Sequence, residues 1–148
     1  MNALSASVLT QPDSAILSDA TEACDESKAS ILIIDDEPAI CSFASFILKA
    51  NNYHVETCTS ATEALAVISE NPARFDLAIL DLSMPVMNGE TLMRKLYELG
   101  LKLKLILSSG LRSKLPAEEL YRLGVVTLMP KPYSVDELSR SVKSVLGR

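Results

Sequence analysis

Acidic, hydroxyl and ammonium side chains stand at the ends of short apolar runs in this chain. Leu77–Leu80 runs into Asp81, Ile31–Ile34 into Asp35 and Asp36, Leu103–Leu107 into Ser108, and Val125–Met129 into Pro130 and Lys131. If those runs are parallel strands, all these groups face one crevice, because open α/β sheets keep their sites at the carboxyl ends of the strands. Three carboxylates gathered there repel one another, a close pair by about 4 kcal/mol at an effective dielectric near 20. Lys131 offsets one charge. A divalent ion is the natural source of the rest, and oxygen ligands with no Cys or His beside them select Mg2+ or Mn2+ over zinc. With such an ion Asp81 becomes a nucleophile as well as a ligand, since carboxylates form acyl phosphates. The ion would bridge Asp36, Asp81 and a phosphoryl oxygen; Lys131 would pair with a second oxygen and the Ser108 hydroxyl would donate to a third.

The elements that must position these groups are legible. Ile31–Ile34 and Leu77–Leu80 are continuous rather than alternating apolar runs, the pattern of strands buried on both faces. Pro38 suits the first turn of a helix, where its missing N–H is not needed, and Ile40, Phe43, Ala44, Ile47 and Leu48 recur at helical spacing to about Ala50. Tyr53–Thr57 alternates and reads as an outer strand. Ser60-Ala-Thr-Glu63 is a capping box opening a helix that Asn71-Pro72 ends. Met84-Pro85 and Asn88-Gly89 break the chain after Asp81. Helices follow at about Gly89–Leu99, stopped by Gly100, and at about Pro116–Leu123, stopped by Gly124. A second capping box, Ser134-Val-Asp-Glu137, opens the last helix. Five β-α units over about 119 residues predict an α/β fold: an open, doubly wound five-stranded parallel sheet of order 2-1-3-4-5, flavodoxin-like. A barrel would need eight units.

Composition narrows the function classes. The chain has 148 residues and a net charge of −5, a size for one domain and a charge that argues against bulk nucleic-acid binding. Residues 1–29 hold five carboxylates against Lys28, so nearly all the net charge sits there. They read as an acidic, disordered tail or linker, with Leu4–Leu9 or Ala15–Ala23 able to form a transient helix, followed by a domain over 30–148. No apolar run reaches membrane-spanning length and no secretory signal opens the chain. Cys24, Cys41 and Cys58 lack metal-type spacing and read as free thiols in a reducing cytoplasm, the latter two as small core residues.

From about Ala29 to Leu146 the chain resembles the response-regulator receiver domains of two-component signalling. The residues that carry the likeness are Asp35-Asp36-Glu37-Pro38, Leu80-Asp81-Leu-Ser-Met-Pro85 with Asn88-Gly89, Ser108-Ser109-Gly110, and Lys131-Pro132-Tyr133. The resemblance implies that Asp81 receives a phosphoryl group from a histidine kinase or phosphotransfer protein. It implies that Asp36 and Asp81 bind Mg2+ directly, Asp35 through water and Ser83 through its backbone carbonyl. It makes Ser108 the switch hydroxyl and Lys131 the phosphate partner, and it implies a cis Lys131-Pro132 peptide. Two positions depart from the family pattern: Leu128 stands where receivers often carry a rotating Tyr or Phe, and Pro130 precedes the lysine. Both point to a variant relay.

With only a tail before the domain and little after it, no DNA-binding module is expected, so output is by contact with a downstream protein near the short helix, the last strand and the last helix. The alternatives are a phosphate sink for a kinase or a phospho-independent interaction module. Enzyme readings fit less well. Ser83 occupies the place where aspartate-nucleophile phosphatases carry a second acid, the acidic triplet after the first strand repels an FMN phosphate, and no Gly-rich lysine loop occurs. His54, the sole histidine, lies in the second strand and reads as an edge-strand surface residue.

Overall fold

The computed structural model describes residues 28–110 and 113–147. The proposed tail and its transient helices lie outside the described residues, apart from Lys28 and Ala29. Ala29 is only 1% exposed and its carbonyl accepts the His54 N–H at 2.9 Å. Ala29 thus packs against the start of the sheet.

Five strands alternate with five helices: β1 Ser30–Ile34, α1 Pro38–Ala50, β2 His54–Cys58, α2 Ala61–Glu70, β3 Leu77–Leu80, α3 Gly89–Glu98, β4 Lys104–Leu107, α4 Ala117–Arg122, β5 Val125–Leu128 and α5 Val135–Leu146. The strands form one parallel sheet of order β2-β1-β3-β4-β5. This is the doubly wound arrangement that the β-α alternation predicts.

Strand periodicity divides the core in two, because successive side chains leave opposite faces of a sheet. Leu32, Ile34, Ala78, Leu80, Leu105 and Leu107 pack with Ala64 and Ile68 of α2, Leu92, Met93 and Leu96 of α3, and Leu120 of α4. Ile31, Ile33, Leu77, Ile79 and Ile106 pack with Ala44 and Leu48 of α1 and with Leu138 and Val142 of α5. Burying one such Leu or Ile contributes roughly 1.5–3 kcal/mol, and the two-sided burial explains why β1 and β3 show no alternation.

Some local expectations change. Phe43 faces outward, 40% exposed, and Cys41 takes a core position at 4%; the Phe43 ring instead lies 6.1 Å from that of Tyr133. At α2 the Ser60 hydroxyl accepts from Glu63 N–H, but the Glu63 carboxylate reaches back to the N–H of Thr59 rather than Ser60. The box at Ser134 and Glu137 closes as expected. Strand β4 starts at Lys104 and β5 ends at Leu128, with a register shift opposite Leu105/Ile106.

Candidate functional site

Strand register builds the site. Ile34, Leu80 and Leu107 are aligned neighbours across β1, β3 and β4, so the next residues, Asp35, Asp81 and Ser108, stand side by side. Their backbone continues the ladder: Asp81 N–H donates to Ile34 O at 3.0 Å and Ser108 N–H to Leu80 O at 2.8 Å. Among the described residues, Asp35, Asp36 and Asp81 each bring one carboxylate oxygen within 4.8 Å of the others. Asp35 and Asp81 are 3% and 4% exposed. Lys131, on the loop after β5, closes the cluster: its Nζ lies 2.6 Å from Asp35 Oδ2, 3.4 Å from Asp81 Oδ2 and 3.8 Å from the exposed Glu37. The Lys131-Pro132 peptide that carries it is cis.

Gly89 fixes the loop that presents Asp81. Its N–H donates to Leu82 O at 3.0 Å, and a Cβ there would meet Asp81 O at 2.6 Å and Leu82 Cα at 2.9 Å. Only glycine allows α3 to start this close to the strand end. Asn88 caps the same helix through its side chain, which accepts Thr91 N–H at 2.9 Å, so Asn88-Gly89 acts as a helix start as well as a turn. Between them and Asp81, Val86 holds φ +69° with its side chain fully exposed.

The charges are unequal in their surroundings. Burial raises the Asp81 pKa above the usual carboxylate range, against the Ser83 N–H bond to Oδ1 at 3.0 Å and the Lys131 charge, and Asp35 adds to the rise. Burial pulls the Lys131 pKa down, but the hydrogen bond and charge of Asp35, with Asp81 behind them, hold it above its ordinary value. Tyr133 is pushed up to about 12 by burial and by the Asp35 charge. Cys41, which donates to Asp35 O at 3.3 Å, and Cys58, at about 12, are both raised chiefly by burial. Both thiols are free and buried, and at neutral pH they are protonated and inert.

The donor set suits a hard cation: three carboxylates, no imidazole or thiolate among them, and one ammonium too few to neutralise the acids. Both oxygens of Asp35 are engaged, Oδ1 by Glu37 N–H at 2.9 Å and Oδ2 by Lys131. Asp81 is engaged in the same way, Oδ1 by Ser83 N–H at 3.0 Å and Oδ2 by Lys131 Nζ at 3.4 Å.

The two adjacent serines behave differently. The Ser108 Oγ is enclosed and has no hydrogen-bond partner, although the Ser108 backbone continues the ladder beside Asp81. The Ser109 Oγ lies 3.5 Å from the Ser83 Oγ, on the loop that follows Asp81, and Ser109 O accepts Lys131 N–H at 3.1 Å. Ser109 is thus the β4-end hydroxyl that reaches the Asp81 loop. The sequence offers two consecutive serines and no means of choosing between them; the seal around Ser108 is a tertiary fact. The contact of Glu37 with Lys131 and the close approach of Gly89 to the Asp81 carbonyl likewise become visible only in the fold.

Leu128 points outward, 58% exposed. Beside it, under α4, lies a cavity of about 600 Å³ lined by Leu107, Ser109, Leu115, Leu120 and Pro130 among others. The space at the end of β5 is therefore open next to Ser109.

Fold and site together define an open α/β domain of the flavodoxin-like class with an acidic, lysine-closed pocket at its strand ends. The response regulator receiver domain profile matches residues 31–143, and the chain belongs to that family, the receivers of two-component signal transduction. It is 31% identical over 120 residues to sensor kinase CckA of Brucella abortus (strain 2308), covering 81% of this chain and 13% of that protein. It is 30% identical over 118 residues to response regulator MprA of Mycobacterium sp. (strain KMS), covering 80% of this chain and 50% of that protein. The chain thus spans half or less of these relatives. Among solved structures, it superposes on a CheY-like receiver domain protein of Methanospirillum hungatei with TM-score 0.72 and 32% identity, over 81% of this chain and 94% of that one. It matches chemotaxis protein CheY4 of Vibrio cholerae with TM-score 0.70 and 28% identity, over 80% and 98%. Among the described residues no helix is long and apolar enough to cross a membrane.

Proposed function

We propose that Asp81 accepts a phosphoryl group from the phosphohistidine of a histidine kinase or histidine phosphotransfer protein. One observation supports this most: a buried Asp81 carboxylate set between the Lys131 ammonium and two further carboxylates, at the open end of the sheet. An Asp81 oxygen attacks phosphorus while the P–N bond breaks. The bonding pair returns to the imidazole nitrogen, which takes a proton, and the product is an acyl phosphate.

Asp36, Asp81 and the Ser83 carbonyl would hold Mg2+ (or Mn2+), with Asp35 contributing through water. Bound there, the ion supplies positive charge against the developing phosphoryl charge. The chain's own groups do the rest. Ser83 N–H orients the Asp81 carboxylate through Oδ1. Lys131, kept protonated by Asp35, pairs with a phosphoryl oxygen. Ser109 rather than Ser108 donates the hydroxyl, because the Ser108 Oγ is sealed. The added charge shifts a two-state equilibrium that a downstream protein reads on the surface of α4, β5 and α5. With Leu128 outside and a cavity beside it, the relay runs through side-chain movement other than an aromatic rotation.

The test uses acetyl phosphate or phosphoramidate as donor. Phosphate uptake is expected with Mg2+ and not in EDTA. Equal uptake in both contradicts the metal assignment, and equal uptake by Asp81→Asn contradicts the acceptor.

A further inference from the structure

A second feature lies at the opposite end of the sheet. A cleft of about 960 Å³ opens where the chain enters β3, β4 and β5. Its walls include the exposed rings of Tyr97 and Tyr121, Val126, and the ammonium groups of Lys102 and Lys104. Neither lysine forms an ion pair among the described residues; Lys104 Nζ reaches only Val145 O, at 3.5 Å. Arg122 also lines the cleft, but Glu119 binds it at 2.6 Å and its guanidinium lies 4.7 Å from the Tyr97 ring centre. The acid at the rim, Asp76, is engaged by Ser30 N–H at 2.8 Å. The cleft is thus aromatic, apolar and net cationic, far from the Asp81 pocket.

We infer that this cleft is the docking site of the chain's own acidic segment, residues 1–27. Charge is the first argument. That segment holds Asp13, Asp19, Glu22, Asp25 and Glu26 and no lysine or arginine, and it meets two lysines without counter-ions. Reach is the second. The chain enters β1 at Ser30, which exchanges two hydrogen bonds with Asp76 at the cleft rim. From β1 across β3 to β4 is two strand spacings, about 10 Å, which about three extended residues cover. Asp25 and Glu26 lie five and four residues before Ser30, so Lys102 and Lys104 are within the span of the intervening chain. Docking there places the segment against the end of α4, a helix of six residues with a single buried side chain, Leu120.

The experiment uses the full chain with a nitroxide on Cys24. Cys41 and Cys58 are buried with raised pKa values, so labelling selects Cys24. Amide signals of Leu101–Lys104 and Tyr121–Val126 are expected to lose more than half their intensity. The loss is expected to reverse in Lys102→Glu/Lys104→Glu, to reverse in 1 M salt, where the screening length is about 3 Å, and to return when Asp25→Lys/Glu26→Lys is added to the reversed lysines. Broadening that is the same in wild type and the lysine variant overturns the inference, as does broadening confined to Lys28–Ser30 and Asp76. Broadening seen only on unlabelled chains mixed with labelled ones assigns the cleft to a second copy and overturns it equally.

Discussion

Replacing Asp81 by asparagine is expected to stabilise the metal-free fold while removing its response to Mg2+. Asp81 is attracted to Lys131 Nζ at 3.4 Å and repelled by Asp35 and Asp36, whose oxygens lie within 4.8 Å. At an effective dielectric near 20 the attraction is about 5 kcal/mol and the two repulsions together at least about 7 kcal/mol. The two largely offset each other, and burial of the ion decides the balance against the charge. Asparagine keeps an oxygen for the Ser83 N–H, and Lys131 keeps Asp35 at 2.6 Å. The pH dependence follows from the raised Asp81 pKa. Between the unfolded value, about 3.9, and the higher folded value, the native state binds more protons, so wild-type stability falls as pH rises through that window. The advantage of Asp81→Asn is therefore absent in acid and complete once Asp81 has ionised in the folded state. Urea unfolding at several pH values, in EDTA and in excess Mg2+, measures all of this. In Mg2+ the wild type gains stability by mass action and the gap closes or inverts. A variant less stable than wild type in EDTA at neutral pH, or equal Mg2+ stabilisation of both, refutes the reasoning.

Other outcomes follow from single contacts. Ser108→Ala removes a sealed, unpartnered hydroxyl, so stability is expected to hold or rise by about 1 kcal/mol, with phosphate uptake unchanged; Ser109→Ala is expected to slow uptake in the same small-donor assay. Gly89→Ala drives a Cβ into the Asp81 and Leu82 backbone, and thermal unfolding is expected to show a loss of about 1–3 kcal/mol together with reduced uptake. Val86→Gly releases a β-branched residue from φ +69° without losing buried surface, and a gain of about 1 kcal/mol is expected in urea unfolding.

Much of this molecule was legible because its strands are simple. Short apolar runs ending in Asp35, Asp81 and Ser108 read as buried parallel strands once the β-α alternation is seen, and one register then aligns their ends. The grouping of Asp35, Asp36 and Asp81 came from that, and the run before Lys131 added the ammonium. What escaped depends on side-chain direction and on loops. Phe43 has helical spacing but faces Tyr133 at the surface, because Cys41 already fills the core position. Ser108 and Ser109 are indistinguishable in sequence, and the fold seals one hydroxyl while leaving the other beside Ser83. Nothing in Pro85-Val86-Met87 announces a left-handed valine. The cationic cleft joins residues from three separate strand entries and has no motif.

The most direct test of the central claim is the position of the phosphoryl group. After reaction with acetyl phosphate and Mg2+, borohydride reduction converts an aspartyl phosphate to homoserine, and peptide mass mapping locates it. A single reduced site at Asp81, absent from Asp81→Asn, is the predicted result. Reduction at another carboxylate, or an unmodified Asp81 in a chain that has taken up phosphate, contradicts it.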